Sequence, residues 1–88
     1  MKLKNGFLLK ELAGDHVVVP VGQAALDLRG MITLNETGAF LWERLQTGQT
    51  EDALVSAMLE EYDVAPDIAR KDVRAFVEML RQQQLLED

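Results

Sequence analysis

The residue types that carry most enzyme chemistry are few and scattered in this chain. His16 is its single histidine, cysteine is absent, and no serine lies near His16 in the sequence. Nucleophilic catalysis needs a nucleophile, a base and an orienting acid, and a metal site needs several ligands at suitable spacing. The sequence therefore predicts no catalytic residue and no metal site, and it favours His16 as an exposed hairpin residue.

Acidic residues are numerous, but their spacing indicates solvated helix surfaces. Glu60, Glu61 and Asp52 fall on polar faces of periodic helices and do not converge from separate elements, as paired catalytic carboxylates would. The six glycines are scattered and form no phosphate-binding loop. Trp42 and Met58 lie within helical apolar stripes, so core packing explains them better than a ligand site.

Charge limits the kinds of partner. The net charge is −6, and the segment from Glu36 to Asp63 accounts for it with seven acidic residues and one basic residue. Nucleic acid and anionic lipid are bound through clustered Lys and Arg, so we expect neither nucleic acid nor a membrane as a partner. With 88 residues, no long apolar run and no disulfide framework, the chain is expected to be one cytoplasmic domain, residues 1–88.

The first third of the chain predicts a small antiparallel sheet. Residues 7–12 and 16–20 read as two strands of a hairpin, with Gly14 supplying a positive φ at the turn. Residues 31–34 read as a third strand, bounded by Gly30 and by Asn35, a preferred helix N-cap. The connection between them, Val21 to Gly30, has no determined conformation, although residues 24–26 could form a short turn.

Such a sheet has an exposed edge and needs a cover. A three-stranded sheet has two edge strands, whose unpaired N–H and C=O groups can accept an added strand. The alternative is that these edges are simply short and protected. The sheet cannot stand alone in water, so helices must cover one face.

Three helices are predicted over residues 36–46, 51–62 and 67–84. Gly48 ends the first helix, Thr50 caps the N-terminus of the second, and Pro66 interrupts the helical pattern before the third. Two helices joined by a proline-containing turn beside a small sheet suggest a winged helix-turn-helix-like architecture. The predicted fold class is therefore α+β, a three-stranded antiparallel sheet followed by a three-helix bundle.

The third helix has an apolar face wider than one sheet requires. At 100° per residue the centre of the face is formed by Ala69, Val73, Phe76 and Leu80, with Ile68 and Met79 on one shoulder and Val77 on the other. The apolar arc is about 180°, whereas a covering helix needs a stripe of roughly 100°. Either one shoulder stays open for a ligand, or the other two helices fill both shoulders.

The ordered set of segments resembles the PqqD family. Met31 to Leu45 reads M-I-T-L-N-E-T-G-A-F-L-W-E-R-L, in which a strand ends in Leu-Asn and a small-residue turn opens an aromatic helix. The segments V-V-V-P-V-G upstream and E-Y-D-V and D-V-R-A-F-V-E-M-L downstream agree in order. The resemblance covers nearly the whole chain, from about Phe7 to Leu86.

This resemblance implies a non-catalytic binding module, a recognition element for ribosomally made and modified peptides. In that family the leader of a precursor peptide lies as an added strand against the third strand and packs beside the third helix. The module carries no cofactor and delivers the peptide to a radical S-adenosylmethionine maturase. Mapped onto this sequence, the implied peptide-binding residues are Met31, Ile32, Thr33, Leu34, Ile68, Asp72, Val73, Phe76, Val77, Met79 and Leu80.

One departure and two competing interpretations accompany the resemblance. The connection from Val21 to Gly30 is longer than in the member that serves pyrroloquinoline quinone synthesis, which favours a relative serving another peptide. A winged-helix DNA-binding regulator is the first competitor, but the predicted third helix carries a net charge of only +1, from four basic and three acidic residues. The second is a homodimer that uses the open apolar shoulder for itself.

Overall fold

The computed structural model describes residues 1–22 and 32–87, and these residues form five strands and three helices. In chain order the elements are β1 (Lys2–Leu3), β2 (Phe7–Leu12), β3 (Asp15–Pro20), β4 (Ile32–Leu34), α1 (Glu36–Leu45), α2 (Glu51–Glu61), α3 (Pro66–Gln82) and β5 (Leu86–Glu87). The predicted α+β class, with a three-stranded antiparallel sheet and three helices, is confirmed. The possible turn at residues 24–26 and the predicted strand residue Met31 lie outside the described residues.

The main sheet has the strand order β2-β3-β4, so that β3 is central. The β2–β3 hairpin reverses at Ala13 and Gly14, whose φ angles are 52° and 86°. Two successive positive φ angles are typical of a type I′ turn, whose twist matches that of the paired strands. Leu12 and Asp15 are the partners that close this turn, and the antiparallel register follows from them.

Alternate rows of the sheet face opposite sides. Leu9, Val18 and Ile32 lie opposite one another and pack against the hydrophobic core. In the next row, Thr33 is exposed on the opposite face of the sheet. One face of the sheet therefore rests on the helices, as the sequence requires of so small a sheet.

Local sequence signals mark where each helix begins. The Asn35 side chain accepts a hydrogen bond from the Gly38 N–H at 2.7 Å, and the Thr50 hydroxyl oxygen accepts one from the Ala53 N–H at 3.1 Å. Both contacts satisfy backbone donors that have no partner within the first turn of a helix. Pro66 occupies the first turn of α3, where a missing N–H costs little.

The core lies where the sheet meets the helices. Its most completely buried side chains are Val18, Leu41, Trp42, Leu45, Leu54, Met58, Val73, Leu80 and Leu85. They come from β3, from all three helices and from the segment after α3. Side chains from the sheet, the helices and the C-terminal segment therefore shield one another from water.

The third helix ends at Gln82, two residues before its predicted end. Gln84 has a φ of 59°, the Leu85 N–H donates to the Leu80 carbonyl at 2.9 Å, and the Gln84 N–H donates to the Arg81 carbonyl at 3.0 Å. This is a Schellman motif, which usually places glycine at the positive-φ position. Because glutamine occupies that position here, the sequence carries no clear stop signal.

The reversal after α3 leads into a second sheet that no local sequence pattern predicts. β1 and β5 pair in antiparallel register, with Lys2 opposite Glu87 and Leu3 opposite Leu86. Leu3 and Leu86 are both buried against the core. Two-residue strands are too short for a period-2 pattern to reveal them.

Aromatic packing joins the C-terminal end of α2 to α1. The rings of Phe40 and Tyr62 meet edge to face, with centroids 5.4 Å apart. Desolvation by partial burial raises the pKa of the Tyr62 phenol, and the carboxylates of Glu36 and Glu61 raise it further, against the opposing effect of a hydrogen bond with Thr37. The folded state therefore favours the protonated phenol.

Among the described residues we find no helix whose length and hydrophobicity would let it span a lipid bilayer.

We predict a large loss of stability when Leu54 is shortened. Leu54→Ala removes a side chain with 0% exposure, so the free energy of unfolding should fall by about 2–5 kcal/mol. Leu59, on the same helix, is 38% exposed, and Leu59→Ala should cost about 1 kcal/mol or less. Urea denaturation of the two variants measures both values, and equal losses would contradict the burial assigned to Leu54.

We predict that Tyr62 ionises above its ordinary pKa of 10.0. Its contribution to stability is then present below the unfolded-state pKa and is lost as the pH rises through the folded-state value. Tyr62 is the chain's single tyrosine, so the ultraviolet absorbance of tyrosinate reports on it alone. Glu36→Gln should lower this pKa towards the ordinary value, and Glu60→Gln serves as the control that leaves it unchanged.

Candidate binding groove

β4 is an edge strand, since it pairs with β3 alone among the residues that the structure describes. In an antiparallel ladder, opposed residues alternate between pairs that hydrogen-bond to each other and pairs that do not. Leu12 and Asp15 close a two-residue turn and so form a hydrogen-bonded pair. The Val21 N–H donates to the Gly6 carbonyl at 2.8 Å, which continues the same alternation. Odd-numbered residues of β3 therefore direct their N–H and C=O groups towards β2.

The even-numbered residues of β3 direct theirs towards β4. His16 lies opposite Leu34 and Val18 lies opposite Ile32, so these pairs carry the ladder hydrogen bonds. Thr33 lies between Ile32 and Leu34, and its N–H and C=O groups consequently point away from β3, to the free edge. Thr33 rather than Ile32 is the residue of β4 that can hydrogen-bond an added strand.

A groove runs beside this edge, between β4, the first turns of α1, and α3. It has a volume of ≈ 370 Å³. Its lining residues are Thr33, Leu34, Asn35, Thr37, Gly38, Leu41, Asp72, Ala75, Phe76 and Met79. The groove is amphipathic, because its α3 wall is mostly apolar whereas Thr33, Asn35, Thr37 and Asp72 contribute polar groups.

The α3 wall of the groove is one stripe of the helix. Each of these four residues, Asp72, Ala75, Phe76 and Met79, lies three or four positions from two of the others, so their side chains share a face. This is the shoulder on which the sequence placed Met79. The opposite shoulder is closed, because Val77 is buried in the core.

Gly38 allows α1 to approach the other two walls closely. A Cβ atom at this position would lie 3.1 Å from Asn35 Oδ1, 3.3 Å from Leu34 Cβ and 3.4 Å from Phe76 Cε1. These distances are at or below ordinary van der Waals contact. The small-residue turn of the sequence signature therefore brings the end of β4, the start of α1 and α3 together.

Five of the predicted site residues line the groove, namely Thr33, Leu34, Asp72, Phe76 and Met79. Ile32 is half-buried and packs against the core, and Ile68 is 47% exposed at the start of α3, outside the groove. The side chains of Val73, Val77 and Leu80 are buried in the core, with Val73 and Leu80 at 0% exposure, so they support the groove from behind. Met31 lies outside the described residues.

Five lining residues were absent from the predicted set, namely Asn35, Thr37, Gly38, Leu41 and Ala75. Ala75 was detectable, since it continues the spacing from Asp72 to Met79 along one helix face. The four residues at the beginning of α1 carried no such signal. They reach the groove only because of the angle at which α1 leaves β4.

Ion pairs connect another side of α3 to the beginning of α2. Arg70 donates to Glu51 at 2.7 Å and to Asp52 at 2.8 Å, and Arg74 Nε donates to Glu51 at 3.2 Å. Hydrogen bonds from the Arg70 guanidinium to Asp52 and Glu51 raise the pKa of that group. Two of the four basic residues of α3 are thereby engaged within the domain, away from the groove.

No group of three or more His, Cys, Asp or Glu side chains within residues 1–22 and 32–87 is arranged to hold a metal ion. His16 lies opposite Glu11 and Leu34 in the sheet.

Two solved structures share this fold. One is TbiB1 in complex with the TbiA(beta) leader peptide, with a TM-score of 0.77, 23% identity, and coverage of 99% of this chain and 95% of that chain. The other is lasso peptide synthetase B1 complexed with the leader peptide, with a TM-score of 0.75, 20% identity, and coverage of 99% and 96%.

Curated relatives match a shorter stretch of sequence. Cardiolipin synthases from Listeria welshimeri serovar 6b and Listeria innocua serovar 6a are 32% identical over 68 residues, which is 76% of this chain. The matched stretch is 14% of the length of these relatives.

The PqqD family, described as coenzyme PQQ synthesis protein D, matches residues 22–86. This stretch includes β4 and all three helices, and therefore every described residue that lines the groove. The chain belongs to the PqqD family.

Proposed function

We propose that this protein binds the leader of a ribosomally synthesised precursor peptide and presents it to a modifying enzyme. The observation that carries the proposal is the free edge of β4 at Thr33, directly beside the groove against α3. An extended peptide at this edge adds a strand to the sheet, and the side chains on one of its faces enter the groove. Main-chain hydrogen bonds then supply affinity, and the groove supplies selectivity.

The chemistry of the groove suits such a peptide. Phe76 and Met79 offer an apolar wall, and methionine adapts its shape to different side chains. Thr33 can donate one main-chain hydrogen bond and accept another. Net gains of about 0.5–1.5 kcal/mol per hydrogen bond, with apolar contact added and the ordering of the peptide subtracted, correspond to roughly micromolar affinity.

Family membership and the two fold neighbours support this proposal. Both neighbours were solved with a leader peptide, and each shares nearly its whole length with this chain. We assign this chain the same kind of ligand and a presenting role, with catalysis performed by its partner. The resemblance favours a radical S-adenosylmethionine maturase as that partner, and one of the fold neighbours is itself a lasso peptide synthetase B1.

DNA binding by α3 is not favoured. Arg70 and Arg74 are ion-paired with Glu51 and Asp52 at the beginning of α2, so contact with a phosphate backbone would have to break those pairs. The acidic residues of α2 would also lie close to the DNA and repel it.

We predict that Thr33→Pro weakens peptide capture by about five- to tenfold, because it removes the N–H that points outward from β4. The experiment is affinity capture from the native cell extract with the tagged protein, followed by mass spectrometry of the bound peptides and proteins. A short peptide together with an iron–sulfur enzyme is the result expected for a maturase partner.

Glu11→Pro is the matched control for that experiment. Glu11 lies on β2, and the same alternation directs its N–H to the opposite free edge of the sheet. Circular dichroism checks that both variants are folded. If Glu11→Pro abolishes capture and Thr33→Pro does not, the peptide binds the other edge, and the assignment to β4 is wrong.

We predict that Ala75→Trp blocks the groove and lowers peptide affinity at least about tenfold, since an indole would occupy the space beside Phe76. Ala75 is exposed, so the fold should tolerate the change. Ser56→Trp adds similar bulk to an exposed residue of α2, none of whose residues line the groove, and should leave affinity unchanged. Fluorescence anisotropy with a captured peptide measures both, and retained binding by Ala75→Trp would exclude the groove as the site.

A further inference from the structure

One carboxylate lies in the groove, and the other described residues that line it are uncharged. Of the described residues that line the groove, Asp72 alone carries an ionisable side chain. Asp72 is exposed, and the ion pairs formed by the described residues do not include it. No cation among residues 1–22 and 32–87 therefore neutralises Asp72.

The sequence of α3 sets Asp72 apart from the other acidic residues of the helix. Side chains three and four positions apart are neighbours on a helix surface. Asp67 has Arg70 and Lys71 at these spacings, and Glu78 has Arg74 and Arg81. The corresponding neighbours of Asp72 are all uncharged, namely Ile68, Ala69, Ala75 and Phe76.

Peptide binding changes the surroundings of this carboxylate. A strand added at Thr33 would cover the groove and remove water from Asp72, which is unfavourable for a carboxylate unless a cation or donor replaces the water. An acidic peptide residue at this point would be repelled. The net charge of −6 attracts basic peptides from a distance and so adds to the preference for peptides with Lys or Arg.

We propose that Asp72 is a specificity-determining residue of the groove. The leader segment that binds here carries a lysine or arginine side chain that pairs with Asp72, beside an apolar side chain that seats against Phe76 and Met79. This inference rests on the proposed function, and it adds the class of peptide that the site selects.

Selection from a phage-displayed library of random short linear peptides tests the inference with the full chain. The wild-type protein should enrich peptides in which a Lys or Arg lies close to a large apolar residue. Asp72→Asn should lose the preference for Lys and Arg, and Asp72→Lys should replace it with a preference for Asp and Glu. Glu78→Gln removes the same charge from another side of α3 and should select as the wild type does.

One enriched peptide then gives the magnitude by fluorescence anisotropy. Asp72→Asn should weaken its binding about three- to tenfold, as expected for one partly exposed charge pair. The difference between wild type and Asp72→Asn should shrink at high salt, because salt screens the pair.

Thr33→Pro separates failure of this inference from failure of the proposed function. If the wild type enriches peptides that Thr33→Pro does not bind, but without a bias towards Lys or Arg, the role of Asp72 is overturned while leader binding stands. The same holds if Asp72→Asn keeps the bias. If the wild type enriches no peptide beyond the level of Thr33→Pro, the proposed function fails, and this inference fails with it.

Discussion

The alternation of hydrogen-bonded pairs in an antiparallel ladder is the constraint on which the proposed site depends. The tight turn at Ala13 and Gly14 makes Leu12 and Asp15 a bonded pair, and every later pair follows from it. The odd-numbered residues of β3 therefore hydrogen-bond to β2, and the even-numbered residues hydrogen-bond to β4. The N–H and C=O groups of Thr33 point to the outer edge of the sheet, because its neighbours Ile32 and Leu34 form the hydrogen-bonded pairs with β3.

A free edge alone would be a liability, since it invites pairing with any extended chain. Here the edge adjoins the groove, which we propose selects among such chains. Asn35 ends the sheet and caps α1, and Gly38 lets that helix approach β4 and α3 within van der Waals distance. Burial of Val73, Val77 and Leu80 in the core sets which side of α3 faces inward. The stripe from Asp72 to Met79 is then the one that faces the edge.

Much of the fold was predictable because its signals are local. Periodicity located the three helices, Asn35 and Thr50 marked two of their beginnings, and Gly14 marked the hairpin. The pairing of β1 with β5 was not predictable, since the paired residues are far apart in sequence and each strand is two residues long. The end of α3 was misjudged by two residues, because Gln84 takes a conformation that glycine usually supplies.

The sequence by itself determined which side chains share a face, since helical and strand periods depend only on spacing along the chain. It also determined the family, through an ordered set of short segments. The tertiary structure decided which shoulder of α3 stays open, which of Ile32 and Thr33 faces outward, and that Val73 and Leu80 lie behind the groove. These outcomes depend on contacts between elements distant in sequence, and spacing along one element does not reveal what covers it.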